Sequence, residues 1–213
     1  MTSSPRDPAT FPRLETDRLI LRVPCGADLD TWAALLADED SARFIGGPMP
    51  RAAAWRAMAT TAGSWVVKGF GMFSVVEKAS DRCIGRAGPW QPEGWPGTEV
   101  GWALLKDSWG RGYAQESARA AIGWAFDSLG WREVIHIIAP ENEASRRLAA
   151  RLGASNTGAT QLPPPLHGLS VELWRQSREE WERAGMRYDS LTGTKKAAPG
   201  GGLSLSPRAT SAQ

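Results

Sequence analysis

Between Thr98 and Arg119 the sequence TEVGWALLKDSWGRGYAQESAR changes its hydrophobic period once, and that change constrains the fold more than any other stretch. Val100, Trp102 and Leu104 alternate with Glu99, Gly101 and Ala103, which predicts a strand with Trp102 on its core face. The pattern breaks at Lys106-Asp107-Ser108 and turns through Trp109-Gly110-Arg111-Gly112-Tyr113-Ala114. From Gln115, the spacing of Ala118, Ala121, Ile122, Ala125 and Phe126 predicts a helix that stops at Gly130. A strand that feeds a glycine-rich turn at the mouth of a helix aims unpaired N–H groups and the positive dipole end at one spot, an anion site. Gly110 and Gly112 let the backbone approach closely, and Arg111 adds a charge.

The nucleotide motifs that use such a turn do not fit. No Gly-Lys-Ser/Thr exists for a Walker loop, and the dinucleotide fingerprint would need glycine where Gln115 stands. Its acid should also end the next strand, whereas Glu133 begins it. At 213 residues one domain is expected. The opening thirteen residues have no apolar run, and no apolar stretch reaches bilayer length, so neither secretion nor a membrane is expected. Cys25, Cys83 and two histidines make no metal cluster, and a reduced cytoplasmic compartment fits. The net charge is +2, but Lys195, Lys196 and Arg208 in the tail outweigh that total and leave the rest one unit negative. No basic face is left for nucleic acid.

A flexible segment is expected over 1–13, the domain over 14–185, and a disordered Gly/Ser/Ala/Pro-rich tail over 186–213. Within the domain, strands are expected at Arg18 to Val23, Met72 to Glu77, Cys83 to Ala87, Val134 to Ala139, Ser155 to Thr160 and Ser170 to Trp174. Helices are expected after an Asp28 cap through Leu36, from Arg51 to Ala62, and from Glu143 to Leu152. Strands followed by a strand–helix–strand–helix unit imply an α/β fold built on a mixed sheet. Of eleven tryptophans, Trp90 and Trp95 fall in the loop Gly88 to Gly97, where exposed aromatics suit an acceptor pocket.

The turn W-G-R-G-Y-A with Glu116 two residues on resembles motif A of the GNAT N-acetyltransferases, in the branch that includes the ribosomal-protein N-terminal acetyltransferases. Leu14-Glu15-Thr16-Asp17-Arg18-Leu19-Ile20-Leu21-Arg22 resembles that branch's first strand. Asn142 to Arg147, then Arg151-Leu152-Gly153, resembles its N-x-x-S-x-R…(K/R)-L-G helix. The resemblance implies a mostly antiparallel central sheet and acetyl-CoA as co-substrate. It places the pyrophosphate on Trp109, Gly110, Arg111, Gly112, Tyr113 and Ala114, and the pantetheine arm along Ala103, Leu104 and Leu105. Asn142 and Ser145 would reach the arm's end and the sulfur, while Arg147 and Arg151 would face phosphates.

Acetyl transfer to an amine needs a base. Neutralising an α-amine at pH 7 costs about 1.4 kcal/mol and a lysine about 4.6, so one carboxylate acting through water suffices for the former. Glu99, opposite the strand's apolar face, is the expected base, with Glu116 a helix-dipole partner. A family tyrosine that returns a proton to the thiolate has no counterpart here beyond Tyr113 and Tyr188, which leaves Ser145 or water. His136 is expected to be a satisfied strand residue, and His167 to line the acceptor site. The acceptor is a primary amine, on a protein N-terminus or a small molecule, and a homodimer is compatible with exposed strand edges. A non-catalytic acetyl-CoA sensor and a Trp-rich interaction module are the competing readings.

Overall fold

The computed structural model describes residues 11–185. One eight-stranded sheet runs through it, in the order β1 (Leu14–Glu15), β2 (Leu19–Arg22), β3 (Phe73–Glu77), β4 (Arg82–Trp90), β5 (Glu99–Leu104), β6 (Glu133–Ile138), β8 (Val171–Ser177), β7 (Ser155–Thr160). Every neighbouring pair is antiparallel except β5 and β6, so the sheet is mixed but mostly antiparallel, as expected.

That parallel pair is the feature that positions the site. Its recorded register is the single pair Glu99↔Ile135, so β5 leaves β6 beyond that point. On its other side β5 stays zipped to β4 from Trp90↔Glu99 to Gly85↔Leu104. Backbone groups alternate in direction along a strand. Leu105 donates its N–H to Ile84 on the β4 side, which turns Trp102 and Leu104 toward the gap.

Helix α4 (Tyr113–Ser128) covers one face of the sheet. Its Ala118, Ala121, Ile122, Ala125 and Phe126 are fully buried against Leu21, Val75, Ala87 and Val100. It begins two residues earlier than the hydrophobic spacing suggests, because Tyr113 is buried as well. On the opposite face lies α1 (Leu29–Ala37), followed by α2 (Glu39–Ala42) and α3 (Arg51–Val67). Asp28 does not cap α1 with its side chain. It is buried, and its carboxylate takes both Arg22 guanidinium nitrogens (2.6 and 2.7 Å), the Cys25 amide and the Ser74 hydroxyl. α3 overruns its expected end by five residues, since Trp65 on its last turns is buried against Phe73 and Trp124. β4 runs on to Trp90, so the first three residues of the expected tryptophan loop are strand. α5 (Glu143–Arg151) is capped by Asn142, whose Oδ1 accepts from the Ser145 amide at 3.1 Å, and α6 (Arg178–Arg183) was not expected. Phe11, inside the segment expected to be flexible, packs edge-on against Trp65, while the expected tail and Tyr188 lie outside the described residues.

Candidate functional site

Two cavities meet where β5 parts from β6. The larger, about 690 Å³, runs from Leu104 past the turn to the N-terminus of α4, with Ser145, Leu148 and Arg151 of α5 as the opposite wall. The smaller, about 80 Å³, holds Arg86, Glu99, His136 and Met72. Phe44, Ile45, Trp102, Asn142 and Ser145 line both, so a molecule in either would meet the other there.

The groove's floor is backbone. Gly110 (φ 72°) and Gly112 (φ 79°) adopt the left-handed conformation that other residues enter at a cost, and Gly112 is the N-cap of α4. The first α4 bond runs from the Glu116 N–H to the Gly112 carbonyl, which leaves the amides before Glu116 without intrahelical acceptors at the positive end of a sixteen-residue helix. Trp109 lies across the end of β5, its indole donating to the Leu104 carbonyl at 2.8 Å. Glu116 faces away from the groove, taking Thr16 Oγ1, the Arg18 amide (2.9 Å) and Arg18 Nε (2.7 Å). It therefore ties the first strands to the turn, besides standing in the first turn of α4.

The arginines expected at the phosphates divide. Arg151 lines the groove and holds Gln115 Oε1 at 3.3 Å. Arg111 instead pairs with Glu77 at 3.2 Å and stacks over Tyr113, and Arg147 pairs with Glu143 on an exposed face. Neither lines the groove. Of the three residues expected to carry the arm, Leu105 has its amide committed to Ile84 and Ala103 pairs with Arg86 on the β4 side, while Leu104 turns its backbone to the gap with its carbonyl taken by Trp109. The Tyr113 hydroxyl is held by Glu77, and this carboxylate pushes the phenol above its ordinary pKa.

In the small cavity, Glu99 is buried rather than an exposed strand acid. Burial pushes its carboxyl up to about 7, although the Trp95 indole (2.6 Å), the Ile137 amide and the nearby Arg86 charge all favour the ionised form. Neither Trp90 nor Trp95 lines either cavity: Trp95 instead holds the expected base through its indole, and Trp90 pairs with Glu99 across β4 and β5. His167 is exposed in the loop before β8 and lines neither cavity. Trp102 is half-buried rather than core: its indole donates to Ser145 Oγ at 3.3 Å and its ring lies 4.9 Å from that of His136.

His136 is only half satisfied. Its Nδ1 lies 2.6 Å from the Val100 carbonyl, which parting from β6 leaves open, while its buried Nε2 has no partner among the described residues. Burial pulls its pKa down to about 4, so the ring is neutral at pH 7, with the proton on Nδ1 and a lone pair on Nε2. Arg86 is the site residue that sequence reasoning overlooks. An arginine inside Cys-Ile-Gly-Arg-Ala-Gly was the available signal, because a charge amid an apolar strand needs a reason.

Comparison with known proteins follows the same outline. Residues 18–155 match the family model described as the acetyltransferase (GNAT) domain. Protein YkkB of Bacillus subtilis, itself uncharacterized, is 29% identical over 154 residues, 66% of this chain and 84% of its own. The FsC-acetyl coenzyme A-N(2)-transacetylase of Aspergillus fumigatus is 35% identical over 99 residues, 45% of this chain and 41% of its own. Among solved structures, the acetyltransferase from Agrobacterium tumefaciens superposes with a TM-score of 0.71 at 28% identity, covering 79% of this chain and 96% of its own.

Proposed function

The chain belongs to the GNAT acetyltransferase family, and we propose that it transfers the acetyl group of acetyl-CoA to a primary amine, with Glu99 as the base. One observation carries this: a buried carboxyl poised near pH 7 stands where the large groove opens into a small polar pocket. The groove fits the co-substrate, since free amides before Glu116, the open space beside Gly110 and the Arg151 guanidinium offer a pyrophosphate both donors and charge. Bound there, acetyl-CoA supplies an activated acyl group.

The chain's own residues do the rest. Glu99 takes a proton from the attacking amine; its pKa near 7 lies close to a peptide α-amine near 8, and a more basic amine adds about 1.4 kcal/mol to the deprotonation cost for each further unit. The new N–C bond forms as the C–S bond breaks, and the sulfur needs a proton. Ser145 relays one from water: its oxygen accepts from Trp102, which leaves its own O–H free on the groove's lining, and a proton from water restores the hydroxyl. Tyr113, held by Glu77, does not. Asn142 fixes the Ser145 backbone at the head of α5. Two free thiols, Cys25 and Cys83, suit a reducing compartment such as the cytoplasm.

The test is thiol release from acetyl-CoA against a panel of amines: small amines, amino acids, and peptides with free N-termini. Release with at least one class supports transfer. Tight CoA binding with no release on any amine would make the protein a CoA sensor instead, and no CoA binding would leave an interaction module.

A further inference from the structure

The small cavity contains a guanidinium with no ion-pair partner. Among the described residues Arg86 makes no ion pair, and its buried Nε has no hydrogen-bond acceptor. Its guanidinium lies over the Trp32 ring, 4.9 Å from the centroid, so one flat face is occupied and the edge that carries its N–H groups is left for another partner. Glu99 is the one carboxylate whose charge reaches it, and Glu99 is committed to Trp95 and Ile137. Burying an unpaired guanidinium is costly, and burial already pulls Arg86 down to about 10. On the same face, Asp28 is already served by Arg22, Cys25 and Ser74, so Arg86 is not its counter-ion.

The geometry sets Arg86 beside the proposed base. Arg86 pairs with Ala103 across β4 and β5, and Glu99 lies four residues back on the same face. Between them is Gly101, where an added Cβ would meet Met72 Cε at 2.9 Å and Glu99 Oε1 at 3.3 Å, so the absence of a side chain there lets Met72 pack beside the base. His136 Nε2 adds a second acceptor to the same cavity. One cation seeking an anion thus stands beside two acceptors suited to N–H groups.

We propose that the acceptor is a small primary amine that also carries a carboxylate, a free amino acid, with its carboxylate on Arg86 and its amine between Glu99 and His136 Nε2. This rests on the transferase reading above and narrows it: a peptide N-terminus brings an amide carbonyl where a carboxylate would be.

The experiment pairs each free amino acid, with α-, β- or γ-spaced carboxylate, with its own carboxamide and a dipeptide in the same thiol-release assay. Wild type is expected to favour at least one free acid over its carboxamide by about 10- to 100-fold in kcat/KM, the range of a charge-assisted contact. The carboxamide has the less basic amine, so such a preference cannot come from easier deprotonation. Arg86→Met should erase it, chiefly through KM of the acid, while Arg86→Lys keeps part of it and CoA affinity by calorimetry is unchanged in both. Carboxamides or dipeptides that react as well as acids would overturn the inference and leave transfer standing. So would an Arg86→Met effect equal on both members of a pair. CoA binding without thiol from any amine would instead overturn the transferase reading, and the inference with it.

Discussion

Glu99 holds a raised pKa at the cost of stability, and the sign of that cost can be measured. Its ordinary value is 4.5 and its folded value about 7, so the folded chain keeps this proton longer than the unfolded one. The stabilisation that this provides is complete below pH 4.5 and is lost as pH rises through 7, a swing of about 3 kcal/mol. Glu99→Gln should therefore melt higher than wild type at pH 8, with the gap closing toward pH 5 in calorimetric scans. His136 works in reverse: neutral when folded, it weakens the fold as pH falls from 6.5 toward 4. In wild type the two slopes oppose each other, so the Gln variant should lose stability in acid more steeply. Period-two alternation alone picks out Glu99 as a polar position opposite an apolar face. Its burial was not legible, because Trp95 folds back from a loop and Ile137 arrives from a strand nearly forty residues on. Arg86 escapes for a similar reason: Trp32 and the cavity beside it exist only once the sheet is assembled.

The turn before α4 was the most readable element, since glycine spacing and a change of hydrophobic period are local signals. Gly112→Ala tests what the turn does. A side chain at φ 79° costs about 1 kcal/mol, and its Cβ would meet Arg18 Nη2 at 3.4 Å. Melting should drop by about 2–4 °C, and the CoA dissociation constant should rise several-fold in calorimetry. Gly110→Ala has the same strain but open space around it, so it should cost stability without disturbing Arg18. Glu116→Ala addresses the tether to the first strands. Arg18 is 48% exposed, so its ion pair contributes little, and most of the loss comes from the Thr16 hydroxyl and the Arg18 amide. A loss of about 1–3 kcal/mol in urea unfolding is expected. Elsewhere, the end of α3 and the true role of Asp28 were hidden, as both depend on partners distant in sequence: Trp124 for the one, Ser74 for the other.

For the whole molecule, the parting of β5 from β6 creates both the groove and the pocket, so the proposed donor and acceptor sites share walls and should be coupled. Acetyl-CoA at a hundred times its dissociation constant should stabilise the fold by about 2.7 kcal/mol, a rise of roughly 5–11 °C in melting temperature. The fold class and the order of strands around the turn were legible because the motifs fall in the right sequence. Of the proposed acceptor side only Glu99 was, because Arg86, Glu99 and His136 come from three strands and no local pattern joins them. Transfer itself is tested most directly by the pH dependence of kcat/KM for thiol release, wild type against Glu99→Gln, with CoA affinity measured in parallel. A wild-type limb near pH 7 that vanishes in the variant, with a rate lower by about 10²- to 10⁴-fold and CoA affinity unchanged, is the predicted result. A variant within a few-fold of wild type that keeps the same limb would contradict it.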